Sequence, residues 1–314
     1  MAVRVALLLL ICATGLAFAT LWAGRVLRAR AIDSNEARRP NLVLVVIGFV
    51  TNFFDTLGIG SFATTTAAFK ALRLVPDEDI PGTMIAGHAL PVVIQALIFI
   101  AVVSVDSTVL LTLIAATVMG GWLGAGVVTR LPRRPIQIGM GVGLLLAATF
   151  MAMSQLGLFP GGGTALGLSS GKLLIATAII LVLGALVMVG IGHYAPCLIM
   201  LSLLGMDPRA AFPIMMGAGA MVAMIGGFRF IDKGRYNVRA ALGLTIGGIP
   251  GVLIAGLVVK SLPLDVLRWV VVAVVTYAAL TMLRSGLTTP TEGSIPRFGS
   301  VRKDSRARRK VGRS

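Results

Sequence analysis

Gly58-Ile59-Gly60-Ser61-Phe62-Ala63 and Gly190-Ile191-Gly192-His193-Tyr194-Ala195 are two copies of one motif, 132 residues apart. The match runs on without a gap through Leu72 and Leu204, Pro76 and Pro208, Pro81 and Pro213, Met84 and Met216, Ala86 and Ala218, and Gly87 and Gly219. Gly120-Gly121 with Gly247-Gly248, and Leu131-Pro132 with Leu262-Pro263, continue it approximately. The chain therefore reads as a duplication built around a glycine-flanked interruption. Glycine lets the backbone leave helical geometry abruptly. In each copy a long apolar segment precedes the interruption and a short one follows it, at 60–74 and 193–205.

The surroundings of the motif say which solvent it folds in. Of 314 residues, 57% are hydrophobic and 13% charged, with a mean hydropathy of +0.94. A soluble domain is roughly a quarter charged, so most of this surface must face lipid. The chain reads as an all-α polytopic membrane protein, which excludes a soluble enzyme. Beyond the two short pieces, apolar segments fall near 41–57, 83–103, 108–129, 135–157, 173–190, 211–228, 240–259 and 264–284. The short pieces are too brief for the ~20 residues of a helical crossing. A further apolar run, Val5–Ala23, precedes them; Ala17-Phe18-Ala19 resembles a signal-peptidase site, but Arg25, Arg28, Arg30, Arg38 and Arg39 follow. These charges favour a retained anchor whose C-terminal end is cytoplasmic.

The net charge of +16 sits in short loops and in the tail Arg297–Ser314, which is how a membrane protein sets its orientation. No nucleic-acid partner is expected. If every segment reverses direction, Arg130, Arg133 and Arg134, then Arg229, Lys233, Arg235 and Arg239, then the tail, all fall on the cytoplasmic side with Arg25–Arg39. The weakly charged connections 104–107, 158–172 and 260–263 fall outside. The expected organisation is an anchor and basic loop (1–40), a first repeat (41–157), a Gly-rich external loop (158–172), a second repeat (173–284) and a basic cytoplasmic tail (285–314). Five segments per half make the repeats inverted, an architecture of secondary transporters. If the short pieces merely continue the preceding helices, the repeats are parallel.

A short helix starting after each interruption presents unpaired N–H groups and partial positive charge, which suits an anion without any lysine. The candidate binding residues are Gly58, Gly60, Ser61, Thr64 and Thr65 in the first copy, with Thr66 beside them. In the second they are Gly190, Gly192, His193 and Tyr194. Hydroxyls and imidazole N–H groups donate to oxyanions. The bland reading is that the glycines only permit close helix packing. Asp55, one turn before the first interruption, is an intramembrane carboxylate and a candidate for proton coupling; alternatively it is a hydrated residue near the outer surface. Asn52, on the same helical face, is its expected polar partner. His88 is a second coupling candidate, or a histidine satisfied by a carbonyl. Gln95 is expected to line the same cavity. Lys70 and Arg73 close the first short helix as interfacial cations or as collectors of anions.

The motif in its setting resembles the TauE/SafE sulfite exporter family. A long helix, a Gly-x-Gly break, a short helix, a Pro-containing turn and a Gly-rich helix are all duplicated. The residues that carry the likeness are Gly58–Ala63 with Pro76, Pro81 and Gly87, and Gly190–Pro196 with Pro208, Pro213 and Gly219. It covers about 41–284. It implies an inner-membrane permease for sulfite, sulfoacetate or a related small inorganic or organosulfur anion. Many members carry a further glycine and a proline after the break, and here only the second copy keeps the proline, as Pro196.

Two other classes compete. Ser61 with His88 or His193 is a conceivable nucleophile and base of an intramembrane enzyme, and a basic tail suits a scaffold protein. No cofactor is expected. There is no Walker A sequence, and Cys12, Cys197, His88 and His193 lack zinc spacing. Met215, Met216, Met221 and Met224 share one segment and read as apolar packing rather than a thioether metal site. Oligomeric assembly with copies of itself is left open.

Overall fold

A computed structural model of the protein describes residues 2–30, 40–158, 163–258 and 264–288. Arg38, Arg39, the connection 260–263 and the tail beyond 288 lie outside the described residues. Eleven α-helices fill the described chain: α1 (Ala2–Arg30), α2 (Leu42–Thr56), α3 (Ser61–Leu72), α4 (Ile80–Val102), α5 (Ser107–Val128), α6 (Arg133–Gln155), α7 (Ser170–Val187), α8 (Tyr194–Leu203), α9 (Pro208–Asp232), α10 (Val238–Val258) and α11 (Leu264–Thr288). Among the described residues the only β-type pairing is one isolated bridge, Ala165 with Met206. Among the described residues, seven helices are long and apolar enough to cross a membrane. Large apolar side chains such as Leu9, Leu16, Val46, Leu174 and Leu253 point outward, as lipid-facing residues must. Helices close their own backbone hydrogen bonds, which a hydrocarbon solvent demands. The protein is an all-α polytopic membrane protein.

The basic connections meet at one end of the bundle. Arg133 pairs with Asp77 at 3.2 Å, Arg235 with Asp79 at 3.8 Å and Arg25 with Asp232 at 3.2 Å. The Arg235 guanidinium also donates to Thr129 O and Leu131 O. The opposite end gathers the connection 104–107 and the described part of 158–172. There Asp106 N donates to Leu166 O, Gly163 N to Met206 O and Asp207 N to Ala165 O. Lys172 reaches Leu204 O at 2.7 Å, and Arg4 caps Val103 O.

Helix pairing crosses the two halves. α2 packs on α10, and α7 on α5. Both pairs run parallel: a Cβ at Gly247 would sit 1.8 Å from Val45 O and one at Gly251 2.4 Å from Phe49 O. Likewise, Gly120 meets Leu181 O at 1.8 Å and Gly124 meets Ala185 O at 2.6 Å. α4 pairs with α9 and α6 with α11, both antiparallel, since Gly219 faces Val92 while Gly227 faces Ala86, and Gly141 faces Leu283 while Gly286 faces Ile138. Exchanging α2–α6 for α7–α11 leaves this pairing scheme unchanged. Small residues make such approaches possible, because in lipid helices associate by close packing rather than by the hydrophobic effect.

α1 is integrated into this bundle. Leu7, Ile11, Phe18 and Trp22 are buried. The Phe18 ring meets that of Phe228 edge-on at 5.0 Å, and Trp22 Nε1 donates to the Tyr236 hydroxyl.

Candidate functional site

Each Gly-Ile-Gly sequence ends one helix and begins another. Gly58 N donates to Asp55 O and Ile59 N to Phe54 O; Gly190 N donates to Val187 O and Ile191 N to Leu186 O. In both copies these are the two bonds of a Schellman terminus, which needs a left-handed residue at the position after the cap. Gly58 and Gly190 supply it, at φ +83° and +96°. Their role here is helix termination. Gly60 then begins α3 at φ 90°, ψ 131°, a conformation open essentially to glycine alone. Gly192 has no positive φ, so the two copies differ at this point.

The short helices stop halfway. At 1.5 Å per residue, α3 is about 18 Å long and α8 about 15 Å, against a hydrocarbon core of ~30 Å. The C-terminal end of α3 lies at the basic end, where Lys70 pairs with Asp77 at 2.7 Å. That of α8 lies at the opposite end, beside Lys172. Their N-termini therefore point at each other from opposite sides. Between them is a cavity of about 50 Å³, lined by Asp55, Gly60, Ser61, His88, Gly190, Gly192, His193 and Tyr194 among others. Neither helix has a side-chain cap from its own N-cap residue, Gly60 or His193. The volume suits a small polyatomic ion; drug-sized ligands need ~300–1,000 Å³.

Asp55 is 2% exposed. Its Oδ1 accepts the Ser61 N–H at 2.5 Å, so the carboxylate closes the N-terminus of α3. Its Oδ2 is buried and has no hydrogen-bond partner. The hydrated-surface alternative does not describe this residue. Asn52 turns away from it. Asn52 Nδ2 donates to Gly48 O, which leaves its Oδ1 facing His88 Nδ1 at 3.1 Å. A carbonyl oxygen accepts only, so His88 Nδ1 carries the proton and Nε2 accepts from Thr65 Oγ1 at 3.0 Å. Both ring nitrogens of His88 are thus occupied by residues other than Ser61. His193 Nε2 faces Met215 O at 3.2 Å. Ser61 has neither histidine as its hydrogen-bonded base in this arrangement.

Four expected residues stand elsewhere. Gly58 lines a neighbouring recess of about 300 Å³ that leads towards the opposite end past Ser154, Gln155, Ser202 and Pro208. Thr64 bonds back to Ser61 O and Gly60 O, as helical threonines do. Thr65 serves His88. Gln95 is buried beside the cavity rather than lining it, donating to Thr56 Oγ1 and accepting from Tyr194 OH at 3.4 Å. Gly143 and Ala147 of α6, and Gly219 and Ala223 of α9, form apolar wall; Gly219 was singled out in the sequence only as a repeat residue, and the other three carry no signal but small size. Met215, Met216 and Met224 are buried in the apolar core.

The sequence reading also passed over Asp77. It is buried and takes Lys70, Arg133 and Gln137 (2.7 Å) on one carboxylate oxygen, tying α3 and α6 together at the basic end. Beside it is a recess of about 550 Å³ lined by Lys70, Arg73, Pro76 and Ser285. Lys70 and Pro76 are the repeat equivalents of Ser202 and Pro208, so the two recesses occupy corresponding places in the two halves. Arg73 ends α3 at φ 51°, the one non-glycine residue with positive φ among those described.

A family model described as Sulfite exporter TauE/SafE matches residues 1–151 and 173–312. The match takes in the anchor helix and most of the tail as well as both repeats. Neither the curated proteins nor the solved structures give a match.

Proposed function

The chain belongs to the TauE/SafE sulfite exporter family, and from that premise we propose that it is a secondary transporter of sulfite or a related small organosulfur anion. The observation that carries the site is the head-on meeting of the α3 and α8 N-termini at one buried cavity. Ser61, Gly60, Gly192, His193 and Tyr194 would surround the anion, with Thr65 orienting His88. Gly58 and Gly190 would hold the two helix ends in place. Two half-helix dipoles and backbone N–H groups bind a small anion with no cation in the cavity wall. Asp55 and His88 are the groups through which coupling to protons would run.

The unchanged pairing under exchange of halves, with α2 and α7 starting at opposite ends, supports an inverted repeat. On this reading the first repeat spans 41–157 and the second 173–284. Recesses at corresponding positions on either side of the cavity are what alternating access about a fixed site requires. Transport rather than catalysis is the reading favoured, since Ser61 lacks a histidine partner.

Purified protein in proteoliposomes is expected to move radiolabelled sulfite or sulfonates well above protein-free vesicles. Absence of flux for all of them would remove the sulfur-anion reading. The cluster of basic loops at one end supports a cytoplasmic placement for it in the inner membrane, the C-terminal tail included. A single cysteine at Thr164, in a background lacking Cys12 and Cys197, is then expected to react with an impermeant maleimide added outside intact cells. Labelling only after lysis would reverse the orientation.

A further inference from the structure

The anion site holds a carboxylate of its own. Among the described residues that line the cavity, Asp55 is the one acidic residue, and no lysine or arginine offsets it. Its Oδ1 already occupies the Ser61 N–H at the head of α3, the donor that an incoming anion would use. Its Oδ2 has no partner and is buried. A negative carboxylate at this point both blocks the donor and repels the substrate. Two like charges in contact in a site shielded from water repel by more than a small anion gains from a helix terminus.

We propose that Asp55 is a tethered stand-in for the substrate, and that the anion enters the site only when Asp55 has taken up a proton. The proposal rests on the transport reading above and names its coupling ion. The proton goes to Oδ2, the oxygen without a partner. The neutral carboxyl is a weaker acceptor, so the Ser61 N–H passes to the anion, and a carboxylic O–H is added to the donors facing it. After access switches, the anion leaves, the proton leaves for the same side, and Oδ1 recovers the Ser61 N–H. One proton crosses with each anion, so a monoanion moves without net charge.

Few other groups compete for this role. The titratable side chains facing Asp55 are His88 from α4 and His193 and Tyr194 at the head of α8. Both histidines are held by neutral partners, Asn52 and Thr65 for one and Met215 O for the other. α3 carries only Lys70 at its far end and α10 only Arg239 at its start. α6 carries Arg133 and Arg134, α7 Lys172, and α9 Arg209, Arg229 and Asp232, all close to helix ends.

The experiment pairs sulfite binding to the solubilised full chain with proton movement in proteoliposomes. Binding to the wild type is expected to weaken up to tenfold per pH unit as Asp55 ionises, the signature of one linked proton. Sulfite uptake should acidify the vesicle lumen, read by a trapped pH dye against the same sulfite load entering protein-free vesicles. Asp55→Asn should lose pH-gradient-driven accumulation, and its binding should lose the pH dependence that Asp55 contributes. Sulfite flux without protein-dependent proton movement in the wild type overturns the proposal alone. So does an Asp55→Asn protein that still accumulates against a gradient. No flux of any sulfur anion overturns it together with the transport reading. The wild-type dye measurement decides the matter even if Asp55→Asn does not fold, and Asp55→Glu, which keeps the acid, should retain coupling.

Discussion

Alanine at Gly247, and equally at Gly120, is expected to leave little folded protein in the membrane. The added methyl would fall 1.8 Å from Val45 O in the first case and 1.8 Å from Leu181 O in the second. The obstacle is backbone, so no rotamer change relieves it and the helices must separate. Overpacking of this kind costs ~1–3 kcal/mol and sometimes more. At ~2–4 °C per kcal/mol, the melting temperature of the solubilised protein should fall by roughly 6–12 °C if the cost reaches about 3 kcal/mol. Gly24→Ala is the control. Nothing lies within 4 Å of its Cβ, and alanine is the better helix former. Thermal denaturation and the monodisperse fraction after extraction read both results. Equal melting of all three variants would refute the packing described for α2 on α10 and α7 on α5.

The second expectation separates two residues that the repeat makes equivalent. Gly60→Ala should depress transport about tenfold or more, whereas Gly192→Ala should keep most of it. Neither position lacks room: nothing lies within 4 Å of a Cβ at Gly60, and only Phe62 Cβ, at 3.7 Å, at Gly192. What differs is the backbone. Gly60 has φ +90°, where an L-residue pays ~1–3 kcal/mol, and relaxing that strain would turn the Ser61 N–H away from the cavity. Initial flux rates at equal reconstituted protein test the pair. A reversed ranking would mean that substrate reads the α8 end rather than the α3 end.

This asymmetry was not legible in the sequence. Residue identity gives both copies Gly-Ile-Gly, and only the folded backbone distinguishes Gly192, which has no positive φ, from Gly60. The helices themselves were legible, because a lipid solvent writes each span as an apolar run and the basic loops mark which ends lie together. The predicted segment 60–74 became Ser61–Leu72 and 193–205 became Tyr194–Leu203. Partners within the membrane were not legible. Apolar residues cover the lipid-facing and the packed sides of these helices alike, so no periodicity says that α2 meets α10 rather than α4. The same limit explains Asn52, which shares a helical face with Asp55 yet bonds His88 from another helix. Asp77 was overlooked because acidic residues in a loop read as solvated, and its three partners come from α3 and α6.

The crosswise pairing of the halves also bears on how the chain is made. Ribosomal synthesis releases α2 long before α10; the contact of Val45 with Gly247 spans about 200 residues of chain. Until then the groove on α2 lacks Gly247 and Gly251, which fill it in the folded bundle. α5 waits in the same way, though more briefly, for α7. Domains that fold as units during synthesis can be completed in order, but here the first half has no finished interior of its own. Insertion into the bilayer and assembly of the bundle are therefore separate events. The cell must hold a nascent set of inserted, loosely associated spans until the tenth helix arrives to lock them.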